Sequence, residues 1–485
     1  MTMKKVSLLN LGIFITIFGC MDLNETPQST TTPATFFATS AQVEASFAAS
    51  MDKLWCQWCS NYSYGMFWFV NDDQMVYGGS RGDLNIPPTH AAYLWKQHYA
   101  ALLNINTALN AILSGKVKDA DADMTNQLIG EARFLRAFNY FMLVRMYGDV
   151  PLYLENDDPL KSPKARAPIA EVYAQIVSDF TDAADKLPVS WGGKPGKPTK
   201  SAANGLLAKA YLTMATAPTN DASNYQKAAT TAKKVMDEGT YSLVYDVKDV
   251  FLLKNKYGPE MIWGFNSTYD DLATDAPIWG PGADPYWGWG DYLVDIHWDS
   301  LYPQQPRKDA YLLDSVNGVR YTDYAYNNNP SVKKYLPPNI SMEDYQNYTS
   351  PNNLPIIRYA DVLLIFAEGE NMAKGGPTQA AVDAINLIRD RANGHVPNPN
   401  YPLLTTAMTK DAFDKAVINE RNLELCFEID RYFDLLRKRM LLEVNPFASA
   451  NFTQDDYLFP IPAEDLRLNP LLTQNPGYPL PASGK

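Results

Sequence analysis

The chain repeats an apolar stripe of helical period in segments that come in pairs. In Glu131–Tyr147 the apolar residues recur at i, i+3, i+4 and i+7, and Gly148 is expected to end the helix. Helical pairs are predicted from Ser201 to Gly239 and from Asp361 to Gly394, the second around a turn at Gly375-Gly376-Pro377. Small residues stand where paired helices must approach closely, at Ala203, Ala210, Ala228, Ala229, Ala232, Ala380, Ala381 and Ala384. Pairs of about 35 to 40 residues are typical of tetratricopeptide-like arrays, in which each pair buries its apolar face only against its neighbours.

Single helices are also predicted, for Ala91–Ser114, Ile169–Leu187 and Asp411–Arg439. The chain has 485 residues, of which 46% are apolar and 20% charged, so it can bury a large core and is neither disordered nor a multi-span membrane protein. We therefore predict a mainly α-helical fold, with a scaffold of tetratricopeptide-like helical pairs and an irregular, loop-rich second part.

An unusual loop region separates the helical pairs. From Tyr257 to Pro306 there is no Lys or Arg, but there are eight acids and eleven aromatic residues. Glycines and prolines break any regular period from Trp279 to Trp289, which predicts a surface loop. Aromatic rings on such a loop can stack on sugars while nearby polar groups bond the hydroxyls. The alternative is that these rings pack the loop onto the helices. The lack of basic residues favours a neutral ligand.

A second aromatic cluster, Trp55 to Phe69, includes Trp68 and precedes a polar run that ends at Tyr77-Gly78-Gly79. We predict that Tyr77, Trp279 and Trp287 form a stacking surface, here called the aromatic platform. Other residues are expected around it: Tyr286 and Trp289 as rim or support, Trp68 as a further ring, and Asp72 and Asp73 as acceptors from sugar hydroxyls.

The N-terminus reads as a bacterial lipoprotein signal. Lys4 and Lys5 precede a 13-residue apolar run, Val6 to Phe18, and Gly19 is followed by Cys20. Cys20 is therefore predicted to carry the lipid, and Asn24 to Thr35 to serve as a tether. The alternative is an ordinary secretory signal with an incidental cysteine. A net charge of −12 argues against nucleic acid as a partner, because binding to polyanions needs clustered Lys and Arg.

The motifs that would indicate catalysis are weak. Cys56 and Cys59 form a Cys-x-x-Cys pair in a predicted helical stretch without nearby histidine ligands, so buried thiols or a local disulfide are favoured over zinc or redox chemistry. Gly78 to Gly82 matches the nucleophile-elbow pattern but lacks the flanking strand and helix. The carboxylate pairs Glu368/Glu370 and Glu424/Glu428 lie on Arg-rich predicted helices, which favours ion pairing. Neither catalysis nor a cofactor or metal is predicted.

Five motifs make the chain resemble the SusD/RagB family of surface glycan-binding lipoproteins of Bacteroidota along nearly its whole mature length. The motifs are Glu131-Ala-Arg-Phe-Leu-Arg-Ala with Tyr147-Gly-Asp-Val-Pro-Leu152, Leu354-Pro-Ile-Ile-Arg-Tyr-Ala-Asp-Val-Leu-Leu-Ile-Phe-Ala-Glu368, Asn419-Glu-Arg-Asn-Leu-Glu-Leu425, Arg431-Tyr-Phe-Asp-Leu-Leu-Arg437, and Leu458-Phe-Pro-Ile-Pro462 with Gln474-Asn-Pro-Gly-Tyr478. The resemblance implies four helical pairs and a partner, a SusC-like TonB-dependent transporter in the outer membrane. It also implies that the binding rings lie around Tyr77 and Trp279 to Trp289.

The expected organisation is a signal peptide at 1–19, the lipidated cysteine and flexible tether at 20–35, and a SusD-like domain at 36–485. Within that domain the scaffold is expected mainly at 36–60, 90–256 and 355–440, the loop-rich glycan-binding part at 61–89 and 257–354, and an irregular C-terminal segment at 441–485. The predicted function is non-enzymatic capture of oligosaccharide or polysaccharide outside the outer membrane, followed by hand-off to the transporter. Alternatives are a helical-repeat scaffold for protein partners and a two-carboxylate glycoside hydrolase.

Overall fold

The helices lie largely where the apolar period predicted them. The structure of the protein, a computed structural model, describes residues 36–58, 72–77, 84, 87–267, 292–316, 319–323, 328–336, 351–445 and 452–480, without the side chains of residues 55–57, 77 and 316. Its helices are α1 (Ser40–Trp58), α2 (Pro88–Leu113), α3 (Ala122–Tyr147), α4 (Ile169–Lys186), α5 (Lys200–Met214), α6 (Asn224–Glu238), α7 (Ile296–Leu301), α8 (Pro306–Tyr311), α9 (Tyr359–Lys374), α10 (Gln379–Ala392), α11 (Lys410–Glu424), α12 (Asp430–Lys438), α13 (Leu441–Val444) and α14 (Ala463–Leu468). Its strands are β1 (Met75–Tyr77), β2 (Met261–Phe265), β3 (Tyr292–Val294), β4 (Leu312–Leu313), β5 (Ser315–Val316), β6 (Val319–Arg320), β7 (Ser331–Val332) and β8 (Leu354–Arg358).

Local capping signals set several helix ends. The Asp121 side chain accepts from the amide of Met124 at the start of α3, and Thr378 does the same for Ala381 at the start of α10. Gly239 and Gly375 follow α6 and α9 in the left-handed conformation, with φ of 69° and 77°. Glycine adopts this conformation without a steric penalty, so both predicted helix ends are confirmed.

The helices pack as a sequential array. Each helix from α1 to α6 packs on the next, and α6 then packs on α9, which contacts α10 and α11. The packing order therefore continues from α6 directly to α9 and skips residues 239–358 of the sequence. Ala210, Ala232 and Ala384 are buried as predicted, but Ala380 is exposed, because it lies in the first turn of α10 on the side facing solvent. The mainly α, tetratricopeptide-like fold is confirmed.

The single helix predicted for Asp411–Arg439 is wrong, because α11 ends at Glu424 and α12 begins at Asp430. Between them Phe427 takes a left-handed φ of 60°. The carbonyl of Cys426 accepts from Lys334 Nζ at 2.8 Å, and that of Phe427 accepts from the Tyr335 hydroxyl at 3.0 Å. These donors lie about 90 positions earlier in the chain, so the local apolar period could not reveal the break.

The described strands form short antiparallel pairs, β1 with β3, β2 with β8, β4 with β7, and β5 with β6. In β2, Trp263 packs edge-on against Phe134 and Phe138 of α3, with ring centroids 4.7 and 5.0 Å apart. A Cβ on Gly264 would lie 2.3 Å from the Leu354 carbonyl oxygen, so glycine is required where β2 meets β8. This pair joins the chain that follows α6 to the start of α9.

The last described segment returns to the end of α3. Asn475 Nδ2 donates to the carbonyls of Tyr147 at 3.0 Å and Phe459 at 2.7 Å, and the rings of Tyr147 and Phe459 meet edge-on. From Phe37 onward the described residues belong to one compact unit. The first and last of the five motifs are therefore in contact.

Candidate functional site

A two-stranded sheet joins the two segments that the sequence predicted to carry the binding rings. Strand β1 pairs antiparallel with β3, which places Met75 opposite Val294, Val76 opposite Leu293 and Tyr77 opposite Tyr292. Tyr292 follows Trp289 by three residues. The chain after Tyr77 and the chain before Tyr292 therefore join the sheet at the same end, although the two residues lie more than 200 positions apart in sequence.

Gln74 fixes this sheet to the helical scaffold. Its Nε2 donates to the main-chain oxygen of Asn422 at 2.9 Å and to the side-chain Oδ1 of Asn422 at 2.7 Å. Its Oε1 accepts from the amide of Phe427 at 3.1 Å, and its carbonyl accepts from the amide of Asp295 at 2.8 Å. The buried side chain of Gln74 thus binds β1 to the end of α11 and to the break between α11 and α12. Its main-chain carbonyl binds Asp295, the residue that follows β3.

Asp72 and Asp73 both have partners inside the protein. Asp72 is 1% exposed, and its Oδ1 accepts from the amide of Gln74 at 2.7 Å. Burial, together with the neighbouring charge of Asp73, raises the pKa of Asp72 well above its usual range. Asp73 forms a two-point ion pair with Arg431 at 2.7 and 2.6 Å. Both carboxylates fasten the start of β1, and this placement counts against the predicted role as acceptors from sugar hydroxyls.

Two tryptophans of the aromatic region lie in the core. Trp263 and Trp298 are 6% and 4% exposed. The indole of Trp298 donates to Asn422 Oδ1 at 3.2 Å, and its ring packs edge-on against Tyr302 and Phe427. Trp263 therefore packs on α3, and Trp298 packs on Tyr302 and on the break between α11 and α12.

The remaining predicted rings lie outside the described residues. They are Trp68, Trp279, Tyr286, Trp287, Trp289 and the side chain of Tyr77, and Cys20 and Cys59 are outside as well. Of the aromatic platform, the structure places the main chain of Tyr77 only. Cys56 lies within α1, as the predicted helical stretch requires, but its side chain is not described.

Buried ion pairs occupy the carboxylates that a catalytic role would need. Glu424 contacts Arg391 at 2.7 Å, Arg358 at 2.9 Å and Arg307 at 2.9 Å. Burial alone would raise the pKa of Glu424, but these guanidinium charges outweigh it and hold the pKa well below the usual range. Glu428 pairs with Lys334 at 2.6 Å and with Arg358. The predicted ion-pairing role is confirmed for Glu424 and Glu428, although Glu428 lies beyond the end of α11.

His98 and Cys426 are fully buried in the core. Burial lowers the pKa of His98 to about 4, and its Nδ1 contacts Asn139 Oδ1 at 2.9 Å. Burial likewise raises the pKa of the free thiol of Cys426 to about 12. Within the described ranges, no three His, Cys, Asp or Glu side chains come together as metal ligands.

The structure also contains a cleft that sequence reasoning missed. It has a volume of about 610 Å³ and is bordered by Tyr245, Phe251, Asp309, Lys333 and His395. These residues come from four separate stretches of the chain, and none stands out locally by composition or spacing. None of them belongs to β1 or β3.

Two family models match the chain in succession. The model described as starch-binding and associating with the outer membrane matches residues 42–212, and the SusD family model matches residues 314–478. Between them they span most of the scaffold, including α1 to α5 and α9 to α12. In the part of the chain that the structure describes, no helix is long and apolar enough to cross a membrane.

Individual proteins resemble this chain over nearly its whole length. SusD-like protein P2 of Formosa agariphila is 27% identical, and the alignment covers 98% of this chain and 100% of that protein. A SusD superfamily protein from Parabacteroides distasonis has a TM-score of 0.76 at 23% identity, with 90% of this chain and 99% of that chain covered. A laminarin-binding SusD-like protein has a TM-score of 0.71 at 23% identity, with 91% and 100% covered. Because the family models, this relative and the fold agree, the chain belongs to the SusD/RagB family.

Proposed function

We propose that the protein is a cell-surface glycan-binding lipoprotein that captures oligosaccharide or polysaccharide without cleaving it. The pairing of β1 with β3 is the observation that carries this proposal. It sets Tyr77 opposite Tyr292, so the two loops predicted to supply the aromatic platform begin side by side on one anchored sheet. Rings from both loops can then meet one ligand, which local sequence could not guarantee.

The ligand is proposed to be a neutral glycan. One matching family model is described as starch-binding, and one similar solved structure is a laminarin-binding protein. The absence of Lys and Arg from Tyr257 to Pro306 agrees with an uncharged ligand. In this proposal Tyr77, Trp279 and Trp287 stack on sugar, while Tyr286, Trp289 and Trp68 form the rim or support. Asp72 and Asp73 are left out, because internal partners hold them.

The protein is further proposed to pass its ligand to a SusC-like TonB-dependent transporter. The proposed position is the outer face of the outer membrane, with the lipid on Cys20. The lipoprotein pattern at Lys4 to Cys20 supports the anchor, and one family model is described as associating with the outer membrane. A pure scaffold for protein partners differs from this proposal in binding no sugar. A hydrolase differs in turning its sugar over through two carboxylates.

A glycan array combined with a turnover assay separates these functions. We expect retention of a neutral glycan and no released sugar. On the glycan that the array selects, Tyr77→Ala, Trp279→Ala and Trp287→Ala should each weaken calorimetric binding by about 1 to 3 kcal/mol, since each removes a stacked ring. Tyr257→Ala is the matched control, because Tyr257 is 46% exposed in the same basic-free region but lies outside the platform.

If all three platform variants bind the glycan with wild-type affinity, the aromatic rings pack the loop and the site is elsewhere. Released sugar that disappears on a single Asp or Glu substitution would instead establish a hydrolase. Because a supporting ring lowers stability together with affinity, circular dichroism melts of the same variants separate stacking rings from supporting ones.

A further inference from the structure

The cleft beside Tyr245 combines an open aromatic ring with polar side chains. One wall is the chain from Tyr245 to Leu252, and the opposite wall is formed by Pro306 to Tyr311 of α8 with Lys333 to Leu336. His395, just after α10, closes one end. Its volume of about 610 Å³ falls within the usual range of small-molecule sites, roughly 300–1,000 Å³.

Tyr245 presents a flat aromatic face at this cleft. Its ring stacks on the His395 imidazole with centroids 4.1 Å apart and planes 15° from parallel. The residue is nevertheless 76% exposed, so the ring face away from His395 is open. An open ring that is held in one orientation from its other face offers a flat apolar surface on which a ligand can stack.

His395 is held from both ring nitrogens. Its Nδ1 lies 2.6 Å from Asp390 Oδ2, and its Nε2 donates to the carbonyl oxygen of Tyr245 at 2.9 Å. These hydrogen bonds raise the pKa of His395, because both stabilise the imidazolium form. His395 also has a left-handed φ of 60°, directly after Gly394 at 66°. The imidazole is thereby fixed in place, and the Tyr245 ring that rests on it is preorganised.

The rest of the cleft supplies a ledge of apolar groups and a polar rim. Phe251 and Leu252 line the cleft, and its carboxylates are Asp246, which pairs with Lys248 at 2.7 Å, Asp249, which lies 3.5 Å from Lys254 Nζ, and Asp309. Lys333 Nζ donates to the Asp309 carbonyl at 2.8 Å, and Asp309 itself is exposed with no ion-pair partner among the described residues. One open ring flanked by hydroxyl-bonding groups is the combination that a pyranose requires, with its C–H face on the ring and its hydroxyls at the rim.

We propose that this cleft is a second glycan site, in which Tyr245 stacks on a sugar ring of the same class of neutral oligosaccharide that the platform takes. The inference rests on the proposed function for the class of ligand, but not on the platform residues. Two sites on one chain would let a long glycan be held at two points, which raises its residence time through effective concentration.

Hydrogen–deuterium exchange of the full chain tests the location directly, with laminarihexaose and maltoheptaose as probes. At a saturating concentration of a bound probe we expect slower exchange in 241–252 and 391–396. Tyr245→Ala should lower the calorimetric affinity for that probe about 2- to 10-fold and remove the protection. Tyr245→Phe keeps the ring and should bind like wild type, which controls for folding.

The experiment is repeated in the Trp279→Ala/Trp287→Ala variant, so that the two sites are judged separately. Protection of 241–252 that persists there supports an independent second site. No protection of 241–252 by a probe that saturates the wild type overturns the inference and leaves the proposed function standing. If neither probe binds the wild type, the inference in its stated form is overturned, and the array decides the proposed function.

Discussion

Single carboxylates buried beside basic side chains hold neighbouring helices together. Glu368 of α9 is fully buried, and both of its oxygens accept from Arg437 of α12, at 2.6 and 2.7 Å. Lys438 Nζ adds a third contact at 2.8 Å. Burial alone would raise the pKa of Glu368, but Arg437 and Lys438 outweigh it and hold the pKa far below the usual range. Removing one partner of such a group leaves charge buried without compensation.

Glu368→Gln should therefore lower the free energy of unfolding by about 3 to 5 kcal/mol, because it removes the buried carboxylate that Arg437 and Lys438 share and leaves them only Asp434 and Asp414 as counter-charges. Glu370→Gln is the matched control: Glu370 lies two residues later on α9 and is only half-buried. Urea unfolding followed by circular dichroism at neutral pH measures both. Equal stability of the two variants would show that the Glu368 ion pair contributes nothing.

The ion pair between Glu368 and Arg437 predicts that the free energy of unfolding depends on pH. The folded-state pKa of Glu368 is lowered, so its contribution is fully present above the unfolded pKa of about 4.3 and is lost as pH falls through the folded pKa. The stability gap between wild type and Glu368→Gln should thus be constant from pH 7 to about 5 and narrow below about 4. Urea titrations at pH 7, 5 and 3.5 check this, and a gap that widens on acidification would contradict the assignment.

Among the helices, α6 and α9 meet most closely at Gly369. A Cβ added there would lie 2.8 Å from the carbonyl oxygen of Tyr225 and 3.0 Å from the amide nitrogen of Ala229. Both neighbours are main-chain atoms of α6, which cannot rotate away. This contact joins α6 to α9 across the intervening residues 239–358. The helical array is continuous only if these two helices stay in contact.

Gly369→Ala should force α6 and α9 apart and cost about 1 to 3 kcal/mol, despite the better helix propensity of alanine. Gly376→Ala provides the control, because nothing lies within 4 Å of its Cβ position and its φ is not left-handed. Thermal melts followed at 222 nm compare the two. An unchanged or higher melting temperature for Gly369→Ala would mean that the two helices separate readily.

At the level of the elements, the apolar period located the helices because it is a local property. The break between α11 and α12 escaped prediction, since Lys334 and Tyr335 hold it from a distant part of the chain. For the same reason the sequence assigned no packing partner to Trp263 or Trp298. Local composition cannot distinguish a ring packed on α3 or on Phe427 from a ring on an open loop.

For the whole molecule, attachment to the membrane is proposed to depend on one residue outside the scaffold. Cys20→Ser should leave a folded protein that binds glycan in solution but no longer fractionates with membranes, because acyl chains contribute roughly 0.8 kcal/mol per buried methylene. Membrane fractionation of cells that express wild type or Cys20→Ser measures this. Cys426→Ser controls for general thiol loss. Unchanged membrane association of Cys20→Ser would refute the lipid anchor.

The sequence by itself determined the helical scaffold, several helix ends and the ion-pairing role of Glu368 and Glu424, because apolar period, capping residues and charge spacing act over a few positions. Only the tertiary structure decided which groups meet across long separations. It paired β1 with β3, directed Asp73 to Arg431, and built a cleft around Tyr245 from four parts of the chain. These contacts join residues about 60 to 360 positions apart, and no local pattern encodes which distant partner a side chain will find.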